Sequence, residues 1–459
     1  MIFRYSVQLL TLISLLYGQA RGYRRFGIRR RVMGNTRLSA ELLARNADEA
    51  FQQHVHRSIK RYPFYAARVK AYRGSLPRPG ARVRPEELPV WTRLDQREFF
   101  ARQRRPVDAS YRRDTSGSTG TRVKFYVTRE SYEWRTAVAD RAYSWAGAQE
   151  GVRSVHVWGT GPAQPLGQHI KRLVHVALQR RHYFDAFQHF SNEERAACCA
   201  FINRVRPRAI VGYTGMLVDV ARYARDHEGA LTWKAARLVT AAEGLQPGQR
   251  ELIESTLAEE LFDSYGSREF MNIGMECTLH DGYHLNIDNL LVEVVDGGGM
   301  PVPAGAEGHV VVTDFHNAAA PFVRYDIGDI GVMAPDEPCP CGCPFPRLAR
   351  VDGRLQDVIH TPQGPVTAIV VSDVLRGFDW VEGSQVVQCA IDGIVVRLLT
   401  SVPLTAERLR PITAKFRRRL GDMKVEFERV DVLTRRPNGK NQLVISRLDQ
   451  DTGQPFSGC

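Results

Sequence analysis

Long hydrophobic runs are missing from this 459-residue chain. The most apolar stretch, Val7 to Tyr17, is about half the roughly 20 residues that span a bilayer, which excludes a polytopic membrane protein. Cysteine is scarce. Of 8 in all, three crowd into Cys339-Pro-Cys-Gly-Cys343, too close together to staple a fold. That excludes a secreted disulfide scaffold and fits a reduced compartment. Internal repeats and low-complexity tracts are absent, and 38 Gly and 24 Pro are ordinary at this length, so disorder, collagen and coiled coil fall away too. The GxxxxGK[ST] phosphate loop is absent, as is any evident Ser/His/Asp nucleophile set.

What is present in excess is positive charge, +13 overall, and it is unevenly placed. Residues 1–113 hold 25 Lys+Arg against 8 Asp+Glu, whereas the remainder is slightly acidic, with 38 against 42. No recognition helix, RNA-binding signature or zinc-finger spacing accompanies the basic segment, so nucleic acid is not the expected partner. Leu9, Leu12, Ile13 and Leu16 repeat at helical spacing ahead of Arg21, Arg24, Arg25, Arg29, Arg30 and Arg31. Two readings stand side by side: an amphipathic, basic segment (1–38) lying on an anionic membrane face, or a helix packed on its own domain with solvated arginines. A signal peptide ranks third, because the main basic cluster follows the apolar run.

The length implies two to four domains. Leu42, Leu43, Ala47, Phe51, Val55 and Ile59 predict a helix over 39–72 that Pro63 breaks. Residues 74–92, rich in Pro, Gly and Arg, read as a surface loop. Further on, short apolar runs at 154–158, 209–212 and 238–241 alternate with helical stretches at 191–205, 215–228 and 247–260. That alternation predicts an α/β fold with helices on the faces of a sheet. From about 285 the texture is β-rich (290–295, 308–313), and a last segment mixes strands with helices at 366–376 and 405–420. The expected division is an N-terminal segment 1–38, a large domain 39–353 and a small α+β domain 354–459.

Asp114-Thr-Ser-Gly-Ser-Thr-Gly120 carries the strongest chemical signal. Small hydroxyl and glycine residues let successive backbone N–H groups face a phosphate chain, and the hydroxyls add donors. Downstream come Ser264-Tyr-Gly-Ser-Arg-Glu269, Phe322-Val-Arg-Tyr-Asp-Ile-Gly-Asp329, Val351-Asp-Gly-Arg-Leu-Gln-Asp357 and Arg436-Pro-Asn-Gly-Lys440. In this order, over about residues 50–446, they resemble the signature segments of the adenylate-forming superfamily. The likeness is greatest to the phenylacetate-CoA ligase-like branch and its relatives of capsular polysaccharide biosynthesis.

The resemblance implies an ATP- and Mg²⁺-dependent, AMP-forming activation of a carboxylic acid, with coenzyme A or an amine or hydroxyl as acyl acceptor, in the cytoplasm or at the inner face of the membrane; a non-catalytic relative that binds a nucleotide or partner is the third reading. It implies roles as well. Thr115, Ser116, Gly117, Ser118, Thr119 and Gly120 match the loop that holds the ATP phosphates. Glu269 matches the acid that positions Mg²⁺, a hard ligand for a hard ion. Tyr265, followed by Gly266 and Ser267, matches the aromatic on adenine, and Ala242-Glu243-Gly244 the turn along the adenine edge. Asp329 matches the carboxylate on the ribose hydroxyls and Arg354 its partner at the hinge. Lys440 matches the lysine that offsets charge on the α-phosphate. The chain departs from the family pattern at Gln356 and at His360-Thr-Pro-Gln-Gly-Pro365, where the pantetheine path is usually lined; this keeps an amine or hydroxyl acceptor open beside coenzyme A.

Cys277, His284, Cys339 and Cys341 resemble a Cys/His set that holds zinc in some phenylacetate-CoA ligase relatives; such a set is closed and structural. His280 competes with His284, and Cys343 is a spare thiol. Tyr213, Asn272 and Gly274 are expected at the wall of the acid pocket, where Tyr213 reads equally as a core aromatic.

Overall fold

The computed structural model describes residues 25–103, 109–114, 123–158, 176, 179–185, 191–245, 248–354, 358–362, 364–367, 371, 374–375, 378, 380–381, 383–434, 443–446 and 448. Two compact units result: 1–154, 164–182 and 262–351 form one, and 155–163, 183–261 and 352–459 the other.

In the first unit, helix Ala40–Arg61 starts at Ser39, whose side chain accepts from Leu42 N, and buries Leu43, Ala47, Phe51, His54, Val55 and Ser58. This 3.6-residue stripe is the one legible in the sequence. The predicted break falls at Tyr62, but helix resumes at once as Pro63–Arg73. Proline costs nothing at a first helical position, because that N–H has no intrahelical partner anyway. The 74–92 segment is irregular yet is no mere surface loop. Val83, Leu88 and Trp91 are buried in the core, and Trp91 N donates to Arg324 O at 2.9 Å. Thr92 and Asp95 then form a reciprocal capping box that starts helix Arg93–Arg102.

Strands Ala109–Asp114 and Lys124–Thr128 pair antiparallel, placing Asp114 opposite Lys124. The Thr115–Gly120 segment, between these strands in the chain, lies outside the described residues. The unit's main sheet uses Met271–Met275, Tyr283–Leu285, Leu290–Val295, Glu307–Asp314, Tyr325–Met333 and Arg347–Arg354. Tyr265 pairs with Gly274 across an antiparallel ladder. An apolar core runs from Phe51 and Tyr65 through Phe270 and Phe322 to Leu348.

In the second unit, Ala209–Tyr213 and Ala235–Ala241 pair in parallel, Ala209 against Arg237 and Tyr213 against Ala241. Helix Thr214–Asp226 is the crossover between them and packs with Asn192–Val205 and Gln249–Thr256 on a core that includes Val157, Ile210, Leu217 and Ile253. The α/β reading holds here. The helix expected over 247–260, however, ends at Thr256, and Ala258–Ser267 is a strand. Ala235 N donates to Leu257 O, so sheet pairing overrides local helix propensity. Farther on, Gly383–Ala390, Gly393–Leu399, Lys424–Val430 and Val444–Ser446 build a mixed four-stranded sheet. Helix Ala406–Leu420 covers it through Ile412 and Phe416. Part of the expected 366–376 helix is instead strand, since Gly364–Thr367 pairs with Val358–Thr361.

Candidate functional site

Two acids and two tyrosines meet in the first unit. Tyr265 lies on the strand that ends at Ser267, and the turn that follows carries Glu269. A Cβ on Gly266 would come within 2.1 Å of Met271 O, so only glycine admits so tight a return. Ser267 Oγ accepts from Phe270 N at 3.3 Å, and Met271 sits at φ 63. The result is a Glu269 that is 2% exposed. Opposite, strand Tyr325–Met333 carries Asp329 one residue past Gly328, at φ 81. Asp326 Oδ1 accepts from Gly328 N at 2.7 Å, and Arg93 Nη2 donates to Ile327 O at 2.9 Å, which fixes that turn.

The polar contacts run between the two segments. Tyr265 Oη donates to Asp329 Oδ2 at 2.9 Å. Tyr325 Oη donates to Glu269 Oε1 at 3.3 Å. Burial first, then the charge of Glu269, raises the Tyr325 phenol well above its ordinary pKa, so it stays a donor. The sequence reading assigned Tyr265, Glu269 and Asp329 and gave Tyr325 no role. Its only local signal was a place in Phe322–Asp329.

Arg324 was likewise missed. It is fully buried, at φ 51, paired with Glu293 and donating to Leu88 O at 2.8 Å and Gly299 O at 2.6 Å. It ties the 74–92 segment to the strand that bears Asp329.

Asn272 and Gly274 lie in the sheet beside these residues. Asn286 Nδ2 donates to Asn272 Oδ1 at 2.8 Å, and Asn272 Nδ2 donates to Gly274 O at 3.3 Å. A Cβ on Gly274 would stand 3.0 Å from His284 O. In the second unit, Ala242 takes φ 73, a costly left-handed turn for a side-chain-bearing residue. Glu243 faces the first turn of helix Thr214–Asp226: its Oε2 accepts from Gly215 N at 3.0 Å and its carbonyl from Thr214 Oγ1 at 2.7 Å. Tyr213 is half-buried and stands edge-on to Trp158 at 4.8 Å. Arg354 ends its strand. Thr115–Gly120, Gln356 and Lys440 lie outside the described residues.

The cysteine and histidine residues converge. Ligand atoms of Cys277, His284, Cys339 and Cys341 all lie within 4.8 Å of one another. Cys277 Sγ is 3.9 Å from Cys339 Sγ, and Cys341 Sγ is 3.4 Å from His284 Nε2. Tetrahedral bonds of about 2.3 Å to zinc put neighbouring sulfurs about 3.8 Å apart, so the set fits that ion. His284 Nδ1 faces Phe345 O at 3.1 Å, which leaves Nε2 as the lone-pair nitrogen. Burial lowers the His284 pKa and favours the neutral ring that a ligand must be. Cys343 N donates to Cys341 Sγ at 3.4 Å. His280 is turned away: its Nδ1 faces Glu276 Oε2 at 3.0 Å. The geometry thus separates the two histidines and leaves Cys343 beside the set as a backbone donor.

The basic N-terminal segment is in part a packed helix. Arg25–Asn35 lays Ile28 and Val32 on Trp134, Ala137 and Val138. Arg29 pairs with Asp140 at 2.8 Å and Glu150 at 3.2 Å, and Arg31 stacks over Trp134. For these residues the intramolecular reading is the one seen, and the membrane reading retreats to 1–24, outside the described residues. No helix among the described residues is long and apolar enough to cross a membrane.

Comparison with known proteins places this geometry. Residues 358–447 match the CapK C-terminal domain family. Protein CapK of Staphylococcus aureus is 25% identical over 342 residues, covering 73% of this chain and 74% of that one. Phenylacetate-coenzyme A ligase of Aromatoleum evansii is 29% identical over 125 residues, 26% of this chain and 28% of the relative. Among solved structures, a 2-hydroxyisobutyryl-CoA ligase in the postadenylation state, bound to an acyl-AMP, superposes with TM-score 0.66 at 20% identity, over 88% of this chain and 89% of that one. The fold is that of the adenylate-forming ligases. Within that class the chain resembles the phenylacetate-CoA ligase-like and CapK-like branch, as its ordered motifs imply.

Proposed function

We propose that this protein activates a carboxylic acid with ATP and passes the acyl group to coenzyme A. The observation that carries the reading is the pair of buried acids, Glu269 and Asp329, joined through tyrosine hydroxyls at the positions where the family places its Mg²⁺ and ribose carboxylates. A carboxylate is a poor electrophile because oxide is a poor leaving group. Attack of a carboxylate oxygen on the α-phosphorus breaks the bond to the β-phosphate, releases pyrophosphate and leaves an acyl-adenylate. A thiol sulfur then attacks the carbonyl carbon, AMP leaves and the thiol proton passes to solvent. Such steps call for in-line positioning and charge compensation rather than a nucleophilic residue.

Asp329 has two oxygens for the ribose hydroxyls. Glu269 would offer an oxygen to Mg²⁺, which would offset charge on the ATP phosphates. Thr115–Gly120, with Thr119 among them, hold the phosphates. Ala242–Gly244 border the adenine, Arg354 heads the C-terminal domain 354–459, and Lys440 brings a flexible charge to the α-phosphate. Tyr213, Asn272 and Gly274 line the acid pocket. Cys277, His284, Cys339 and Cys341 would hold a zinc ion, and a set of three sulfurs and one nitrogen would give it a structural rather than a catalytic role. The compartment this ATP-dependent chemistry suits is the cytoplasm.

The test is acid-dependent exchange of labelled pyrophosphate into ATP over a broad panel of carboxylic acids. Exchange that Lys440→Ala abolishes, with ATP binding retained, is expected; no exchange with any acid would overturn the reading. The hairpin of Val358–Thr361 with Gly364–Thr367 occupies the departure from the family pattern and favours a second acceptor, an amine or hydroxyl. Acid-dependent AMP release that coenzyme A does not stimulate would select it.

A further inference from the structure

The two tyrosine–acid contacts share a symmetry that their separate roles do not require. On each segment the acid follows the tyrosine by four residues: Tyr265 and Glu269 on one, Tyr325 and Asp329 on the other. Yet each hydroxyl reaches the acid of the opposite segment, Tyr265 to Asp329 and Tyr325 to Glu269. We propose that Tyr265 and Tyr325 are crossed positioning residues, Tyr325 orienting the Mg²⁺ carboxylate and Tyr265 the ribose carboxylate. The inference rests on the nucleotide reading of this site and adds to it a division of labour between two hydroxyls.

Three features support the pairing. Each tyrosine donates to one carboxylate oxygen, Glu269 Oε1 or Asp329 Oδ2, and so limits the rotation of the group. The Tyr325 ring is locked edge-on between Phe322 at 5.1 Å and Phe270 at 5.9 Å, so its hydroxyl has a fixed origin. The backbone that presents each acid is held too, Glu269 by the tight return at Gly266 and Asp329 by a strand in which Arg93 donates to Ile327 O. Crossing the contacts ties the metal carboxylate to the ribose strand and the ribose carboxylate to the metal strand. Neither acid moves without the other segment. Such a lock suits a site that must hold phosphate and sugar of one nucleotide at a fixed separation.

The two tasks separate in one experiment on the full chain: equilibrium ATP binding across a Mg²⁺ series, repeated with 2′-deoxyATP. Loss of one hydrogen bond to a charged group is expected to read as about a tenfold change. Tyr325→Phe should raise the Mg²⁺ concentration for half-maximal ATP binding by that factor and leave the preference for ATP over 2′-deoxyATP unchanged. Tyr265→Phe should lower the preference by that factor and leave the Mg²⁺ requirement unchanged. Both variants keep the ring, and their melting temperatures are measured alongside. Equal effects of both variants on both readouts, or no effect in a wild type that binds ATP, would overturn the crossed assignment. A wild type that binds no ATP would overturn the nucleotide reading itself, and the inference with it. If Tyr325→Phe is insoluble, Tyr265→Phe decides alone: an unchanged nucleotide preference sinks the proposal.

Discussion

The first unit holds two polar centres that solve burial in opposite ways. In the Cys/His set the donors face one another: Cys277 and Cys339 across 3.9 Å, Cys341 and His284 across 3.4 Å. Around it, Arg141 stacks on Phe345 at 4.4 Å, and Trp145 stands 5.9 Å from the His284 ring. In the carboxylate centre, Glu269 and Asp329 each take a tyrosine hydroxyl from the opposite segment. A set whose members converge on one point is built to be saturated by a single ion. Buried acids held by hydroxyls from opposite segments are built to meet something larger. The difference teaches which buried polar groups serve the fold and which serve a ligand, and substitutions at either should separate stability from activity.

The largest expected effect on stability is loss of the metal. One zinc per chain by elemental analysis, and a fall of the unfolding midpoint on the order of 10 °C on chelation at neutral pH, are expected. Cys341→Ser should reproduce the fall without chelator. A metal-free protein with an unchanged midpoint would remove this centre from the comparison.

That contrast was only half legible in the sequence. The four candidate ligands could be named because they resemble a Cys/His set of phenylacetate-CoA ligase relatives, although Cys277 and Cys339 are 62 residues apart. The choice of His284 over His280 needed the strand Tyr283–Leu285, which aims one inward, while Glu276 holds the other. Tyr325 was illegible for a different reason. Its contact spans 56 residues of sequence, and no local period reports such a pairing. Trp91 and Leu88 were hidden likewise, because Arg324 buries a segment whose composition says loop. Periodicity found Ala40–Arg61 and Thr214–Asp226, each of which carries its own apolar stripe. It failed at 258–260, where a neighbouring strand decides.

A smaller effect should come from His54, which belongs to neither centre. It is fully buried, and desolvation pulls its pKa from 6.5 down to about 3; Asp314 opposes the shift, while Arg57 and His316 add to it. With the folded pKa below the unfolded one, the folded chain resists protonation. Stability is complete above about pH 6.5 and falls as pH drops toward 3. The expected loss is about 2 kcal/mol between pH 7.5 and pH 5, and His54→Leu should flatten that slope. Denaturant melts at both pH values check it; equal slopes in wild type and variant would show that other groups carry the acid sensitivity.

Smallest in stability and sharpest in function is Glu269→Gln. The amide keeps an acceptor oxygen at the place where Tyr325 donates and removes one buried negative charge, so melting should shift by less than about 1 kcal/mol. With the proposed Mg²⁺ ligand made neutral, acid-dependent exchange should fall by about a hundredfold or more, the scale seen when one transition-state electrostatic contact is removed. Cys341→Ser should do the reverse, unfolding the chain as fast as it inactivates it. Melting and exchange measured on the two variants together decide the comparison. Should Glu269→Gln lose stability in step with activity, Glu269 would belong with the Cys/His set as a group that holds the fold, and the carboxylate centre would no longer be the place where nucleotide is met.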